Sequence, residues 1–281
     1  MEKLTWTQTQ VFRLKEFGID LNEIPEDFST SSERNKVFQQ IEKKAVKCKK
    51  GDLTGYLNNR EKSRLDHLKE NILSALYKQG FSRVYTPTII SKTALEKMTI
   101  DEKHPLFDQV YWLNEKQCLR PMLAPNLYSL MKDLGRLKHR PIRFFELGAC
   151  FRKESDGAHH NSEFTMLNLV EMGIPKENRH ERLKELATLV SSVSGLTDFR
   201  FETEDSEVYG TTLDVVADTD NIEIASGAVG PHPLDVAWCI SDTWVGIGFS
   251  IERLLMTSMQ DNTIGKWGKS LSYLNGMRLN L

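Results

Sequence analysis

Phe144–Glu171, FFELGACFRKESDGAHHNSEFTMLNLVE, is the stretch on which the fold turns. It runs as strand, charged loop, strand. Phe144, Phe145, Leu147, Cys150 and Phe151 are apolar, Arg152 to Glu163 is charged and contains glycine, and Phe164 to Val170 is apolar again. A hairpin of this kind puts Arg152 and Glu154 at the end of one strand, with His160 and Phe164 facing them from the other. That supplies a cation for a phosphate, a carboxylate, a second polar group and an aromatic face for a base. These are the parts of a nucleotide site that lacks a glycine-rich phosphate loop. The competing reading of the same residues is a solvated loop between two core strands.

Outward from this hairpin, composition sets the bounds. The chain has 281 residues, 40% hydrophobic and 27% charged, as in an ordinary soluble globular protein. That length suits one large domain or two unequal ones. A net charge of −2 excludes a global basic field, so a nucleic-acid surface must be local. The four cysteines (Cys48, Cys118, Cys150, Cys239) show no CxxC spacing. They fit a reduced cytoplasmic protein better than a disulfide scaffold or a zinc site. The first residues, MEKLTWTQTQ, hold no apolar signal core, and no run approaches a membrane span.

The N-terminal fifth predicts small helical pieces with little core. Val11, Phe12, Leu14 and Phe17 form a short amphipathic patch ended near Gly18, and Ser32 to Lys47 form a second piece. The second runs into Lys43, Lys44, Lys47, Lys49 and Lys50, either a solvated helix end or a phosphate-contact patch. Gly51 to Asn59 reads as a linker. From Ser63 the register changes: Leu65, Leu68, Ile72 and Leu76 predict a helix over 63–78, stopped by Gly80. GFSRVYTPTII follows, and Pro87 argues for an edge or an interface. Asp108 to Leu119 alternates like a hairpin. Asn126 to Leu137 and Lys176 to Ser194 read as helices. Phe199–Glu204, Thr212–Ala217 and Ile222–Val229 read as strands, the last two joined by a turn at Thr219-Asp220. Hairpins dominate, which predicts an α+β domain with a mainly antiparallel sheet flanked by helices. The expected organisation is a small helical N-terminal extension over 1–60 and a larger domain over 61–281.

Two further constellations bear on chemistry. In WVGIGFSIERLL, Gly246 and Gly248 permit close approach to the backbone. Arg253 follows at a helix start, where it suits an anion or a base. A strand that needs small residues for packing explains the glycines as well. In IEIASGAVG, Glu223 and Ser226 pair a carboxylate with a hydroxyl, a set suited to magnesium beside phosphates or to a half-exposed strand. GKWGKS, Gly265 to Ser270, imitates the end of a phosphate loop, but Thr263 stands where its first glycine is needed. His159-His160 has no metal-pair spacing.

Jointly the pieces resemble the class II aminoacyl-tRNA synthetases. GFSRVYTPTI is similar to their motif 1, CFRKE with HNSEF to motif 2, and GIGFSIERLL to motif 3, in the right order and at fitting separations. Within that class the chain resembles the pyrrolysine-charging family, in HPLFDQVYWL, CLRPMLAPNLY, FRKESDG, EFTMLNL, VYGTTLDV and SLSYLNG. The N-terminal fifth resembles the leader of members that lack a separate tRNA-binding N-terminal domain. Ser250 departs from the pattern, which usually has glycine there.

The resemblance implies an ATP- and Mg2+-dependent ligase that joins pyrrolysine, or a related Nε-acyl-lysine, to a cognate tRNA. It implies a cytoplasmic homodimer, with no membrane and no DNA as partner. A class II enzyme for another large amino acid, or a catalytically silent tRNA-binding paralogue, are the alternatives. In the ATP site it implies Arg152 on the α-phosphate, Glu154 and Asn161 at the adenine edge, and His160 by the triphosphate. Phe164 and Arg253 would then enclose the ring above Gly248, and Glu223 and Ser226 would hold the metal. Arg152 and Arg253 are the expected catalytic residues. Met122, Ala124, Leu127, Tyr128, Met131, Val170, Ala228, Trp244 and Gly246 would line the amino-acid pocket. Asn168 would donate to the substrate carbonyl, and Tyr209, on a mobile loop, would cap it.

Overall fold

The computed structural model describes residues 3–153, 160–206, 208–218 and 221–281. The chain divides into two compact units, one of Met1–Lys62 with Leu271–Leu281 and one of Ser63–Ser270. The C-terminal segment, expected with the larger domain, thus clusters with the N-terminal residues. Part of the reason is ionic: Arg278 pairs with Glu16, which also holds Arg13.

In the N-terminal unit, Gln8–Glu16 is a helix whose N-terminus is closed by a reciprocal Thr7–Gln10 cap. Gly18, at φ +73, lets the chain leave it. Leu14 and Phe17 are buried, but Phe12, expected on the same apolar patch, is 66% exposed. Ser31–Asn58 is one uninterrupted helix with no buried residue. The expected linker over Gly51–Asn59 is therefore absent. Two isolated glycines cost a helix only about 1 kcal/mol each, and no proline interrupts it. Lys43 to Lys50 consequently lie in mid-helix, away from the dipole at its C-terminal end.

The larger unit is built on a seven-stranded sheet in the spatial order Ser82–Arg83, Ile142–Phe151, Glu163–Met172, Trp244–Ser250, Ile222–Gly230, Gly210–Ala217, Phe199–Ser206. Each neighbouring pair is antiparallel except the first, where the two-residue edge strand runs parallel. Pro87 lies beyond that short edge strand, outside the sheet. The Thr219-Asp220 turn lies outside the described residues. A smaller sheet pairs Ile89–Ser91, Gln117–Leu119 and Trp112–Asn114, so the expected hairpin is shorter than 108–119.

Alternation divides the large sheet into two faces. On one face Phe145, Leu167, Leu169, Val215, Ala225, Val245, Ile247 and Phe249 are buried. Against them pack the helices Arg64–Lys78, Arg179–Val193 and Ile251–Ser258, through Leu68, Ile72, Leu76, Leu183, Leu186, Val190, Leu254 and Leu255. Ser63 caps the first of these helices by accepting from the Asp66 N–H. The opposite face carries two cross-strand rows. One is Glu146, Asn168, Gly248, Ser226, Asp214 and Glu202; the other includes Phe144, Val170, Gly246 and Ala228. The helix Ala124–Leu134 packs over the second row and begins two residues before its predicted start.

Candidate active site

On that second face lies a cavity of about 760 Å3, floored by both rows. Every site residue predicted from the sequence lines it except Glu154, which lies outside the described residues. The nucleotide candidates Arg152, His160, Asn161, Phe164, Glu223, Ser226, Gly248 and Arg253 converge on one part. The apolar candidates Met122, Ala124, Leu127, Tyr128, Met131, Val170, Ala228, Trp244 and Gly246, with Asn168 and Tyr209, line the cavity too.

The hairpin delivers its residues as its register dictates. Cys150 faces Phe164 and Phe151 faces Glu163, and the Arg152 N–H donates to the Ser162 carbonyl at 3.0 Å. The Arg152 guanidinium donates from Nε to the Pro121 carbonyl at 2.9 Å and lies 5.3 Å above the Phe164 ring. A cation and an aromatic face are thus already held together at the cavity wall. Cys150 is fully buried, and burial pushes its thiol up to about 12, so it is inert at neutral pH.

Glu223 and Ser226 stand three apart, and a regular strand would send them to opposite faces. The register solves this. Val215 pairs with Ala225 but Val216 pairs with Glu223, which leaves Ile224 as an extra residue. This bulge turns Glu223 onto the cavity face beside Ser226. Arg253 reaches the same place, donating to the Glu223 carbonyl at 3.2 Å. Loss of solvation in the crowded cleft, and then the Asp214 charge, push the Glu223 carboxyl above its usual range. Arg253 and Arg152 pull it back less strongly. Asp214 is 5% exposed, with one carboxylate oxygen unpartnered among the described residues. Two carboxylates with a hydroxyl alongside are a set of oxygen donors that fits a hard divalent cation.

The glycines act through space. A Cβ on Gly248 would come within 2.9 Å of the Asn168 side-chain oxygen. That oxygen has no hydrogen-bond partner among the described residues. A Cβ on Gly230 would overlap the Trp244 indole, and one on Gly268 would come within 2.4 Å of Asn161 Nδ2. Gly268, the tail of the false phosphate loop, therefore makes room for Asn161. Tyr128 is 3% exposed, and its ring sits 5.7 Å edge-on from Trp244 and 6.5 Å from Tyr209. Burial pushes its phenol far above the usual value.

Sequence reasoning missed the groups that hold this floor in place. Arg120 and Glu146, each 3% exposed, form an ion pair at 2.8 Å. Glu252 is 1% exposed and accepts from the Thr165 N–H with both oxygens, at 3.0 and 2.8 Å, tying the motif 3 helix to the hairpin. A charged residue inside a strand or helix gives no signal of such pairing, because the partners are far apart in sequence.

A model of the family described as tRNA synthetases class II core domain (F) matches residues 53–268. The chain is similar to the crystal structure of a pyrrolysyl-tRNA synthetase from Desulfitobacterium hafniense, with 49% identity, a TM-score of 0.86 and 99% of each chain covered. A second structure of a pyrrolysyl-tRNA synthetase from that organism matches at 48% identity and a TM-score of 0.84, over 99% of this chain and 96% of the other. A curated relative, the O-phosphoserine–tRNA(Cys) ligase of Methanoculleus marisnigri, is 26% identical over 174 residues, 59% of this chain. The match spans 32% of that relative's length.

Proposed function

The chain belongs to the class II aminoacyl-tRNA synthetases, in their pyrrolysyl-tRNA synthetase branch, and we propose that it activates pyrrolysine, or a closely related Nε-acyl-lysine, and transfers it to a cognate tRNA. The observation that carries this reading is the joining of two unlike surfaces in one cavity. A charged wall of Arg152, Glu223 and Arg253 runs into an apolar chamber of Ala124, Leu127, Tyr128, Val170 and Trp244. ATP suits the first and a long acylated side chain suits the second.

In the first step a substrate carboxylate oxygen attacks the α-phosphorus of ATP and pyrophosphate leaves. The product is a mixed anhydride, the aminoacyl-adenylate. In the second step a tRNA hydroxyl attacks the carbonyl carbon and AMP leaves. No side chain serves as nucleophile; this chain positions the reactants and neutralises charge. Arg152 holds the α-phosphate where charge develops. Phe164 and Arg253 enclose the adenine, with Asn161 at its edge and His160 by the triphosphate. Glu223 and Ser226 would hold Mg2+, which supplies charge neutralisation at the phosphates when bound.

The test is amino-acid-dependent ATP–pyrophosphate exchange over a panel of acylated lysines and the standard amino acids. Exchange should be strongest with bulky Nε-acyl-lysines. A standard amino acid as the best substrate would establish the other class II reading, and exchange with none would establish the silent paralogue. Asn168→Ala should weaken carbonyl-bearing substrates by about 1–3 kcal/mol, since it removes a side-chain amide donor that faces the cavity. Equal losses for a large aromatic analogue without that carbonyl would show that Asn168 supports the fold only.

For tRNA the Ser31–Asn58 helix offers the surface. Lys43, Lys44, Lys47 and Lys50 are exposed on it, and Lys43, Lys47 and Lys50 share one side. The basic residues near the C-terminus, a second place where a tRNA phosphate could be met, are already paired, Lys266 with Asp261, Lys269 with Glu163 and Arg278 with Glu16. Replacing Lys43, Lys47 and Lys50 should weaken tRNA binding. It should also lower the salt slope by roughly 0.7–0.9 for each phosphate that is no longer neutralised. Parent values for both would leave the run a solvated helix. We further read the helix over 64–78 and the segment before Pro87, with exposed Tyr77 and Tyr85, as the contact of a cytoplasmic homodimer. The same lysine variants should then sediment at twice the chain mass; a monomer that adenylates would remove the dimer.

A further inference from the structure

The turn that follows the Ile222–Gly230 strand does more than reverse the chain. Gly230 leaves room for the Trp244 indole, whose N–H donates to both Asp235 oxygens at 3.1 Å. Asp235 is 3% exposed and also accepts from the His232 backbone N–H at 2.7 Å. His232 is therefore fixed to the same carboxylate that fixes the pocket floor. Its ring has two jobs. Nδ1 accepts from the Leu234 N–H at 3.2 Å, so the proton sits on Nε2. Nε2 then donates to the Tyr209 backbone carbonyl at 2.7 Å. The His232 ring lies 5.5 Å from the Tyr209 ring and 6.4 Å from Trp244. It does not line the cavity, whereas Ser206, Val208 and Tyr209 do.

We propose that His232 is a positioning residue that latches the Tyr209 loop to the Trp244 floor and so sets how bulky an acyl group the pocket admits. This rests on the reading of the apolar chamber as an acyl-lysine pocket. The physical reason is mechanical. Among the described residues of its own loop, Tyr209 is held by long bonds, the Val208 and Tyr209 N–H groups sharing Ser206 Oγ at 3.3 Å, and outside the loop its ring stacks on Tyr128 at 6.5 Å. The short bond from His232 joins the loop to an anchored turn, because Asp235 accepts from both the His232 N–H and the buried Trp244 indole. Without that bond Tyr209 can swing outward, which widens the pocket without changing any residue that touches substrate.

Two variants separate the latch from the turn. His232→Asn keeps an acceptor for the Leu234 N–H but is too short to reach the Tyr209 carbonyl. His232→Gln places an amide N–H near the former Nε2 and restores the reach. Amide hydrogen exchange across residues 208–212, without substrate, should rise about fivefold in His232→Asn, the worth of one ordinary hydrogen bond, and stay at the parent value in His232→Gln. The kcat/KM of an aromatic carbamate of lysine relative to Nε-acetyl-lysine should rise about as much in His232→Asn and return in His232→Gln. Parent-like exchange and parent-like selectivity in His232→Asn would overturn the proposal. An equal shift in both variants would also overturn it, since ring bulk would then be the cause. If the exchange result holds but the parent activates no acyl-lysine, the latch stands and the substrate reading fails.

Discussion

Arg152→Ala should lower the rate of adenylation by about a hundredfold or more, corresponding to roughly 3 kcal/mol of lost transition-state stabilisation. The expectation follows from where the hairpin ends. The strand Ile142–Phe151 stops one residue short of Arg152, and its partner begins at Glu163, so the guanidinium leaves the sheet at the cavity wall. One nitrogen is spent on the Pro121 carbonyl, which fixes the side chain's direction. The guanidinium carbon lies 5.3 Å from the Phe164 ring centroid, so cation and ring share the cavity wall. Arg152→Lys keeps the charge but loses the planar fork, and should recover only part of the loss. Urea titration of both variants checks that the fold is intact. Adenylation by Arg152→Ala within a few-fold of the parent would remove Arg152 from the chemistry.

The hairpin is legible in the sequence because two apolar runs flank a charged, glycine-containing stretch. The helix over 64–78 is legible from its period, since Leu68, Ile72 and Leu76 repeat at helical spacing and all three are buried. The glycines of the motif 3 strand are visible, but not their use. Only the register places Gly248 opposite Asn168 and shows that a side chain there would displace it. The bulge at Val215/Val216 leaves no mark at all. The residue types suggest pairing Glu223 with Ser226, yet a regular strand would send them to opposite faces, and it is the bulge that brings them onto one. The long N-terminal helix misleads for a plain physical reason. Gly51 and Gly55 look like breakers, although exposed glycines weaken a helix without ending it.

What sequence does not reach is the set of contacts between distant residues. The His232–Asp235–Trp244 turn is local, but its bond to Tyr209 spans two strands. Glu252 lies in a stretch that reads as an amphipathic helix start, yet its carboxylate is buried against Thr165. Burial holds that carboxyl above its usual range, with the Thr165 hydrogen bonds acting the other way. Both cases place a charged group where water is excluded, and both are tolerated because backbone N–H groups are aimed at it.

The largest stability effect is expected at another such group. Arg120→Met should destabilise the larger unit by about 3–5 kcal/mol, because it strands a carboxylate in the interior. Arg120 Nη1 donates to Glu146 Oε1 at 2.8 Å and to Thr86 Oγ1 at 3.0 Å, and Nε donates to the Ala149 carbonyl at 2.8 Å. The Thr86 hydroxyl donates to Glu146 Oε2 at 2.6 Å and accepts from Asn126 at 2.6 Å. The network also reaches the site. The Phe151 N–H donates to the Arg120 carbonyl, and the next carbonyl, of Pro121, is the one that orients Arg152. Gly148 is glycine for the same reason, since a Cβ there would overlap the Arg120 guanidinium. Glu146 faces Asn168 across the hairpin, so a loosened pair should disturb both halves of the pocket. Replacing both partners, Arg120→Met with Glu146→Leu, should recover most of the loss, because no buried charge is left unpaired. Urea unfolding of the parent, the two single variants and the double variant measures the coupling. A loss below about 1 kcal/mol in Arg120→Met, or a double variant no better than the single, would show that the pair is not what holds this corner of the sheet.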